Sequence, residues 1–156
     1  MATTAAEIMT SPAIVVAQEA SVAEIAALLS SKHISAVPVC RADGTPVGIV
    51  SEGDILRPFR ESTRQRRDWW LGLIAEGEEL PQEYLDYLRH DTRTAADLMV
   101  SHLVTADEQA TLPQLAELMV THGIKRIPIV RDGRVVGIVS RADLVTAIAQ
   151  APAMLG

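Results

Sequence analysis

Two short stretches carry the side chains best suited to chemistry, and each is a near copy of the other. One is Gly48-Ile49-Val50-Ser51-Glu52-Gly53-Asp54; the second is Gly137-Ile138-Val139-Ser140-Arg141-Ala142-Asp143. In both, an apolar β-type run ends at a serine, and a helix is expected to start within a residue or two. A helix start presents unpaired N–H groups and partial positive charge, which suits an anion. The hydroxyl of Ser51 or Ser140 can donate to a phosphate or sugar oxygen. The carboxylate of Asp54 or Asp143 can accept two hydrogen bonds from a vicinal diol. Gly48 and Gly137 have no side chain, so backbone or a ligand can approach closely. The same spacing also has a purely local use. Serine followed three residues later by aspartate is a capping box, in which the two residues close off their own helix. The residues alone leave both readings open.

A second pair of stretches precedes the first. Ile34-Ser35-Ala36-Val37-Pro38-Val39 matches Ile124-Lys125-Arg126-Ile127-Pro128-Ile129. Proline lacks an N–H, which favours an edge strand or a strand end. An edge leaves main-chain donors and acceptors that a purine can use, its ring lying on Ile34 or Ile124. The plainer reading is an edge strand finished by Pro38 or Pro128. The copies differ in charge. Lys125-Arg126 stands where the first copy has Ser35-Ala36, and Arg141 replaces Glu52. Adjacent cations before such a strand invite a phosphate, though solvated surface charge is the alternative. Thr105, where the first copy has Val15, adds a hydroxyl to the second copy.

Other chemistries find little support. The lone Cys40 has no sequence cue to an activating base, and it cannot form an internal disulfide. His33, His90, His102 and His122 fall in no metal-binding spacing, so no metal site and no enzymatic activity are expected. A net charge of −6 repels phosphate backbones, which disfavours nucleic acid as a partner. No apolar run is long enough to span a membrane, and Met1–Met9 lacks the pattern of a signal peptide. The expected location is the cytoplasm.

The elements that must position these residues are duplicated as well. Thr4-Ala5-Ala6-Glu7-Ile8-Met9 recurs as Thr94-Ala95-Ala96-Asp97-Leu98-Met99. All three blocks keep an offset of about 90 residues, shortened by one between the second and third. Chance similarity does not hold register across separated blocks. Each copy reads as a capped helix, a strand (Ile14–Val16; Leu103–Thr105), an amphipathic helix opened by Ser21 or Thr111, the proline strand, an Asp-Gly hairpin turn (Asp43-Gly44; Asp132-Gly133), a second hairpin strand and a last helix. With a hydrophobic fraction of 48% but only 3% aromatics, the core must be aliphatic. Half of 156 residues buries little core by itself, so the two copies are expected to pack sheet against sheet as one composite domain around a shared cleft. The fold class is α/β (α+β), with repeats at residues 4–57 and 94–149, an insert at 58–93 and a tail at 150–156. The insert reads as helical, with Trp70, Leu73 and Ile74 on one face and six arginines, among them Arg64, Arg66 and Arg67.

These residues resemble the paired CBS-domain family, named for the regulatory region of cystathionine β-synthase. The family carries a Gly-hydrophobic-x-Ser/Thr-x-Ser/Thr-Asp signature after a hairpin and a hydrophobic-x-x-hydrophobic-Pro strand before it. The resemblance implies a pseudo-two-fold unit with two clefts that takes adenosine-containing ligands such as AMP, ADP, ATP, NAD or S-adenosylmethionine. It implies that Asp54 and Asp143 hold the ribose and that Ser51 and Ser140 hold ribose or phosphate. Main chain around Val37, Pro38, Ile127 and Pro128 would read adenine, and Lys125 and Arg126 would reach phosphates. It also implies pairing into a homodimer. The sixth signature position departs from the pattern: Gly53 and Ala142 replace a hydroxyl residue. The basic pair ranks the Asp143 site above the Asp54 site. A ligand-free CBS-pair scaffold for oligomerisation or interaction is the alternative function.

Overall fold

The structure, a computed structural model, describes residues 3–61 and 92–150, the last five of the first stretch by backbone alone. The tryptophans, tyrosines and most arginines of the insert lie outside the described residues.

Each repeat gives the expected order of elements. The first contains α1 (Ala5–Ile8), β1 (Val16–Ala17), α2 (Val22–Lys32), β2 (Ala36–Cys40), β3 (Pro46–Ser51) and α3 (Glu52–Glu61). The second contains α4 (Ala95–Leu98), β4 (Ala106–Asp107), α5 (Leu112–His122), β5 (Arg126–Arg131), β6 (Arg134–Ser140) and α6 (Arg141–Gln150). The strands form two three-stranded sheets, ordered β1-β2-β3 and β4-β5-β6. In the second, β4 runs parallel to β5, and β5 pairs antiparallel with β6.

The amphipathic helices are built alike. Ser21 Oγ accepts the Glu24 N–H at 3.1 Å, and Thr111 Oγ1 accepts the Gln114 N–H at 3.3 Å. These are N-caps of the expected kind. Both helices end on a residue in the left-handed region, His33 at φ 53° and Gly123 at φ 62°. The following N–H then reaches back five residues: Ile34 donates to Leu29 and Ile124 to Met119, each at 3.0 Å. This is the Schellman stop, in which an apolar residue past the end packs back on the helix.

The chain divides into two compact units, and the division exchanges the first helix of each repeat. Among the described residues, one unit takes 3–15, 40–48 and 101–150; the other takes 16–39, 49–61 and 92–100. A single helical turn such as α1 cannot hold itself together in water. In the first unit its free leading N–H groups, Ala5 and Ala6, donate to Ala110 O at 2.8 Å and Glu108 O at 3.0 Å. Leu112 N–H donates to Thr3 O, and Thr10 exchanges both bonds with Ile138. The second unit repeats the pattern: Ala95 and Ala96 donate to Ala20 O and Gln18 O, and Val100 exchanges both bonds with Ile49. Each first helix thus heads its own repeat in the chain and packs in the other unit, a docking not foreseen from the sequence.

Both cores are aliphatic. In the first unit Ala5, Leu112, Leu115, Met119, Ile127, Ile129, Val139 and Leu144 form one cluster. In the second, Val22, Ile25, Leu29, Val37, Val50, Ala95 and Leu98 are buried. Each such Val, Leu or Ile contributes roughly 1.5–3 kcal/mol by leaving water.

Three local expectations change. The opening strands begin two or three residues late, because pairing starts at Ala106↔Ile129 and includes neither Leu103 nor Thr105. The proline strands are central in their sheets, not edges. β4 covers only Ile129 and Val130, so the first half of β5, including Pro128, has a neighbour on the β6 side alone. That half-open flank is what tolerates a residue without an N–H. The two Asp-Gly turns also differ. Asp132 and Gly133 both have positive φ, 53° and 79°, as in a two-residue type I′ turn. In the first hairpin only Gly44 does, at 90°; Arg41 and Thr45 close the loop around Ala42-Asp43-Gly44. This longer loop accounts for the residue lost between the copies.

Candidate functional site

Each signature serine sits at a strand end, and its aspartate sits in the first turn of the helix that follows. Ser140 N–H donates to Asp143 Oδ2 at 2.8 Å, and Asp143 N–H donates to Ser140 Oγ at 3.1 Å. Ser51 N–H likewise donates to Asp54 Oδ2 at 2.8 Å. Of the two uses the sequence left open, the reciprocal capping box is therefore realised in the second copy, and its Ser N–H to Asp half in the first. The first residue of each helix is tied down as well. Arg141 N–H donates to Lys125 O at 2.8 Å, and Glu52 N–H donates to Ser35 O at 2.9 Å. The helix starts thus keep few free donors for an anion, and the expectation of open N–H groups is corrected.

The two junctions are not equivalent. In the first repeat Ser51 Oγ also donates to Asp54 Oδ2 at 3.0 Å, so hydroxyl and carboxylate satisfy each other. Asp54 is only 8% exposed. In the second, Ser140 Oγ acts as an acceptor, and its O–H donates to no described residue. Asp143 is half-buried and uses Oδ2; its Oδ1 accepts nothing from the described residues. A free hydroxyl donor beside a free carboxylate acceptor is the complement of a diol or of a diol-phosphate edge.

The second junction gathers most of the predicted residues. Lys125 and Arg141 are joined through main chain and both side chains are exposed. Arg126 lies opposite Ser140 in the ladder, Ile127 opposite Val139, Pro128 opposite Ile138, and Gly137 opposite Ile129. Ile127, Val37 and Pro38 are fully buried and Pro128 is buried, which leaves their main chain as the part able to meet a ligand. Ile124 is half-buried and packs against the first unit's core, and Ile34 holds the same place after α2. Gly48 is buried in β3.

Two predicted residues have surroundings other than those expected. A Cβ on Gly137 would collide with Met9 Sδ, and would stand 2.8 Å from Met9 Cγ and 3.0 Å from Thr10 O. The close approach that Gly137 permits is therefore made by the chain's own N-terminal segment. Thr105 is exposed and lines a groove of about 510 Å³ beside β4, which none of the other predicted residues line. Met9, Thr10 and the polar residues of that groove were missed by the sequence reading. The exchange of first helices, invisible in one sequence, hid the first two. Aligning the copies would have pointed to the third.

Two titratable groups near the first hairpin are displaced. Asp43 Oδ1 accepts the Thr45 N–H at 2.9 Å. Hydrogen bonds from Thr45, with smaller help from Arg41 and Arg134, hold the Asp43 carboxyl below the usual range. Burial, with the Asp43 charge adding to it, pushes the Cys40 thiol up. The thiol is buried and stays protonated, so it makes a poor nucleophile.

The CBS domain family model matches residues 5–61 and 95–150. The chain belongs to the CBS domain family. An uncharacterised Methanocaldococcus jannaschii protein, MJ1426, is 33% identical over 155 residues, which covers 91% of this chain and 89% of that one. The crystal structure of CBSX2 in complex with AMP, a protein of Arabidopsis thaliana, has a TM-score of 0.69 at 25% identity, covering 96% and 98% of the two chains. The CBS domain pair of MJ0100, solved in complex with 5-methylthioadenosine and S-adenosylmethionine, has a TM-score of 0.70 at 23% identity, covering 96% and 98%. The mixed helix-and-sheet fold is that of a CBS pair.

Proposed function

We propose that this CBS pair is a regulatory, non-catalytic module that binds an adenosine-containing ligand at the Ser140–Asp143 junction. AMP, ADP and ATP are the first candidates, and NAD and S-adenosylmethionine share the same nucleoside. The observation that carries the reading is the unspent pair at this junction, the Ser140 hydroxyl and Asp143 Oδ1. Asp143 would take the ribose diol, and main chain at Ile127 and Pro128 would take adenine. Exposed Lys125 and Arg141, with Arg126, would compensate phosphate charge in place of the capped helix start. The AMP of the CBSX2 complex, and the 5-methylthioadenosine and S-adenosylmethionine of the MJ0100 complex, support the nucleoside class.

Signalling would follow from population shift. A ligand that binds one relative orientation of the repeats, or of two copies in a homodimer, better than another moves the equilibrium by that difference in affinity. The module would act in the cytoplasm; no helix among the described residues is long and apolar enough to cross a membrane.

A second reading is a ligand-free scaffold for oligomerisation or interaction. It is favoured by the capping of both signature aspartates and by the missing hydroxyls at Gly53 and Ala142. Thermal denaturation with millimolar AMP, ADP, ATP, NAD and S-adenosylmethionine separates the two. A ligand held only by the folded state, present at about 100 times its Kd, adds about 2.7 kcal/mol. A raised melting temperature with at least one ligand is expected; no shift with any of them leaves the scaffold.

A further inference from the structure

The second junction carries a charge pattern that its twin lacks, and the pattern bears on which adenosine ligand fits. Lys125, Arg126, Ser140, Arg141 and Asp143 all belong to the first unit. Arg126 stands opposite Ser140 in the β5–β6 ladder, and Arg141 N–H donates to Lys125 O at 2.8 Å. Three cations are thus gathered at a junction with a single carboxylate, in a chain whose net charge is −6. The Lys125 and Arg141 side chains are exposed and engage no described residue. The first junction is clipped in the same way, Glu52 N–H donating to Ser35 O at 2.9 Å. There, however, Ser35, Ala36 and Glu52 stand in place of Lys125, Arg126 and Arg141. Together with Asp54, those positions hold two carboxylates and no cation.

The start of α6 has little left for a phosphate. Arg141 N–H is spent on Lys125 O and Asp143 N–H on Ser140 Oγ, and Ala142 has no hydroxyl. A ribose held by Asp143 Oδ1 would bring its first phosphate, one methylene from the ring, close to this capped helix start. Lysine and arginine carry their charge at the end of long flexible stems. Lys125 and Arg141 are therefore better matched to phosphates farther from the sugar than to the first one.

We propose, resting on the nucleotide reading above, that the Ser140–Asp143 junction selects an adenosine polyphosphate, ADP or ATP, and that Lys125 and Arg141 set this choice. Arginine takes phosphate oxygens two at a time, and lysine takes them as a point charge. The same cations act against a positively charged ligand, since specificity comes as much from repelling the wrong ligand as from attracting the right one. S-adenosylmethionine carries a sulfonium and an ammonium where a nucleotide carries phosphates. It is disfavoured here although it shares the nucleoside.

Calorimetric titration of the full chain with adenosine, AMP, ADP, ATP and S-adenosylmethionine, in magnesium-free buffer at low salt, tests this. ATP should bind roughly tenfold more tightly than adenosine, the sum of a few exposed ion pairs. The largest step should come with the second or third phosphate, and S-adenosylmethionine should bind more weakly than adenosine. Lys125→Gln with Arg141→Gln should reduce the ratio of ATP to adenosine affinity to about twofold. Arg131→Gln with Arg134→Gln removes two cations from the far end of the same hairpin and should leave that ratio within about twofold of wild type, because screening confines the effect. Adenosine binding without preference for ATP, a largest step at the first phosphate, or S-adenosylmethionine as tight as ATP would overturn the proposal and leave the nucleoside reading standing. Equal loss in the Arg131/Arg134 pair would reduce the effect to diffuse attraction and overturn it too. Failure of every ligand to bind would overturn the nucleoside reading itself, and the proposal with it.

Discussion

Gly137→Ala should destabilise the first unit by crowding Met9, and the size of the effect can be worked from the geometry. A Cβ at position 137 would overlap Met9 Sδ, stand 2.8 Å from Met9 Cγ and meet the Thr10 carbonyl oxygen at 3.0 Å. The Met9 side chain is flexible and can swing aside. The Thr10 carbonyl is held, because it accepts the Ile138 N–H at 3.2 Å. Relief therefore requires a Met9 rotamer change and a small shift of main chain, the ordinary cost of overpacking, about 1–3 kcal/mol. Taking about 2 kcal/mol, the melting temperature of a chain this long falls by about 4–8 °C. Chemical denaturation of wild type, Gly137→Ala, Met9→Ala and the double variant forms a cycle. Because Met9→Ala vacates the space that the new methyl needs, the double variant should recover at least about 1 kcal/mol of the summed losses. If Gly137→Ala is neutral, or if the two losses simply add, the close approach of the N-terminal segment to β6 is wrong. The place of Gly137 would then need another explanation.

Cys40 should react with a thiol-specific reagent at pH 8 only at the rate at which the fold opens, and promptly in denaturant; prompt native-state reaction would contradict its burial. Because its thiol is raised in the folded state, the unfolded chain ionises first, so the Cys40 contribution to stability should fade as pH rises above about 9, and Cys40→Ala should remove that part of the alkaline profile. His33→Gly should stabilise by about 1 kcal/mol in urea denaturation, since His33 occupies the left-handed position that Gly123 fills in the other repeat; a loss of stability would mean the His33 side chain is holding something. Asp43 is lowered in the folded state, so its contribution is present above the ordinary carboxylate range and is lost as pH falls through its folded value. Asp43→Asn, which retains the turn acceptor, should flatten the acid limb of the stability curve, and an unchanged limb would refute the assignment.

Much of the fold could be read from the sequence because the duplication repeats each signal twice. Ser21 and Thr111 cap their helices as their types and positions require, and Val22, Ile25 and Leu29 face inward at helical spacing. Pro38 and Pro128 misled in part. Proline rules speak of a missing donor, and that donor is spared because β4 is too short to reach Pro128, not because β5 is an edge strand. The exchange of α1 and α4 was not legible, since a four-residue helix carries no sequence mark of the partner it docks on. The Ser-x-x-Asp motif was legible as a capping box or a ligand clamp, and the structure adds what the letters could not. In the first repeat the hydroxyl points at the carboxylate, whereas in the second the Ser140 O–H and Asp143 Oδ1 engage no described residue. The groove at Thr105 was visible in the sequence only as one substituted hydroxyl; its floor and carboxylates come from β4, the turn after it and one face of α5.

The account stands most directly on the inequality of the two signature aspartates. AMP titrated against Asp143→Asn and Asp54→Asn separates them, since asparagine keeps an acceptor for the cap and removes the charge. The account predicts that Asp143→Asn weakens binding about tenfold, the loss of one charge-assisted pair, while Asp54→Asn stays within about twofold. The reverse order, or equal losses at both positions, would contradict it.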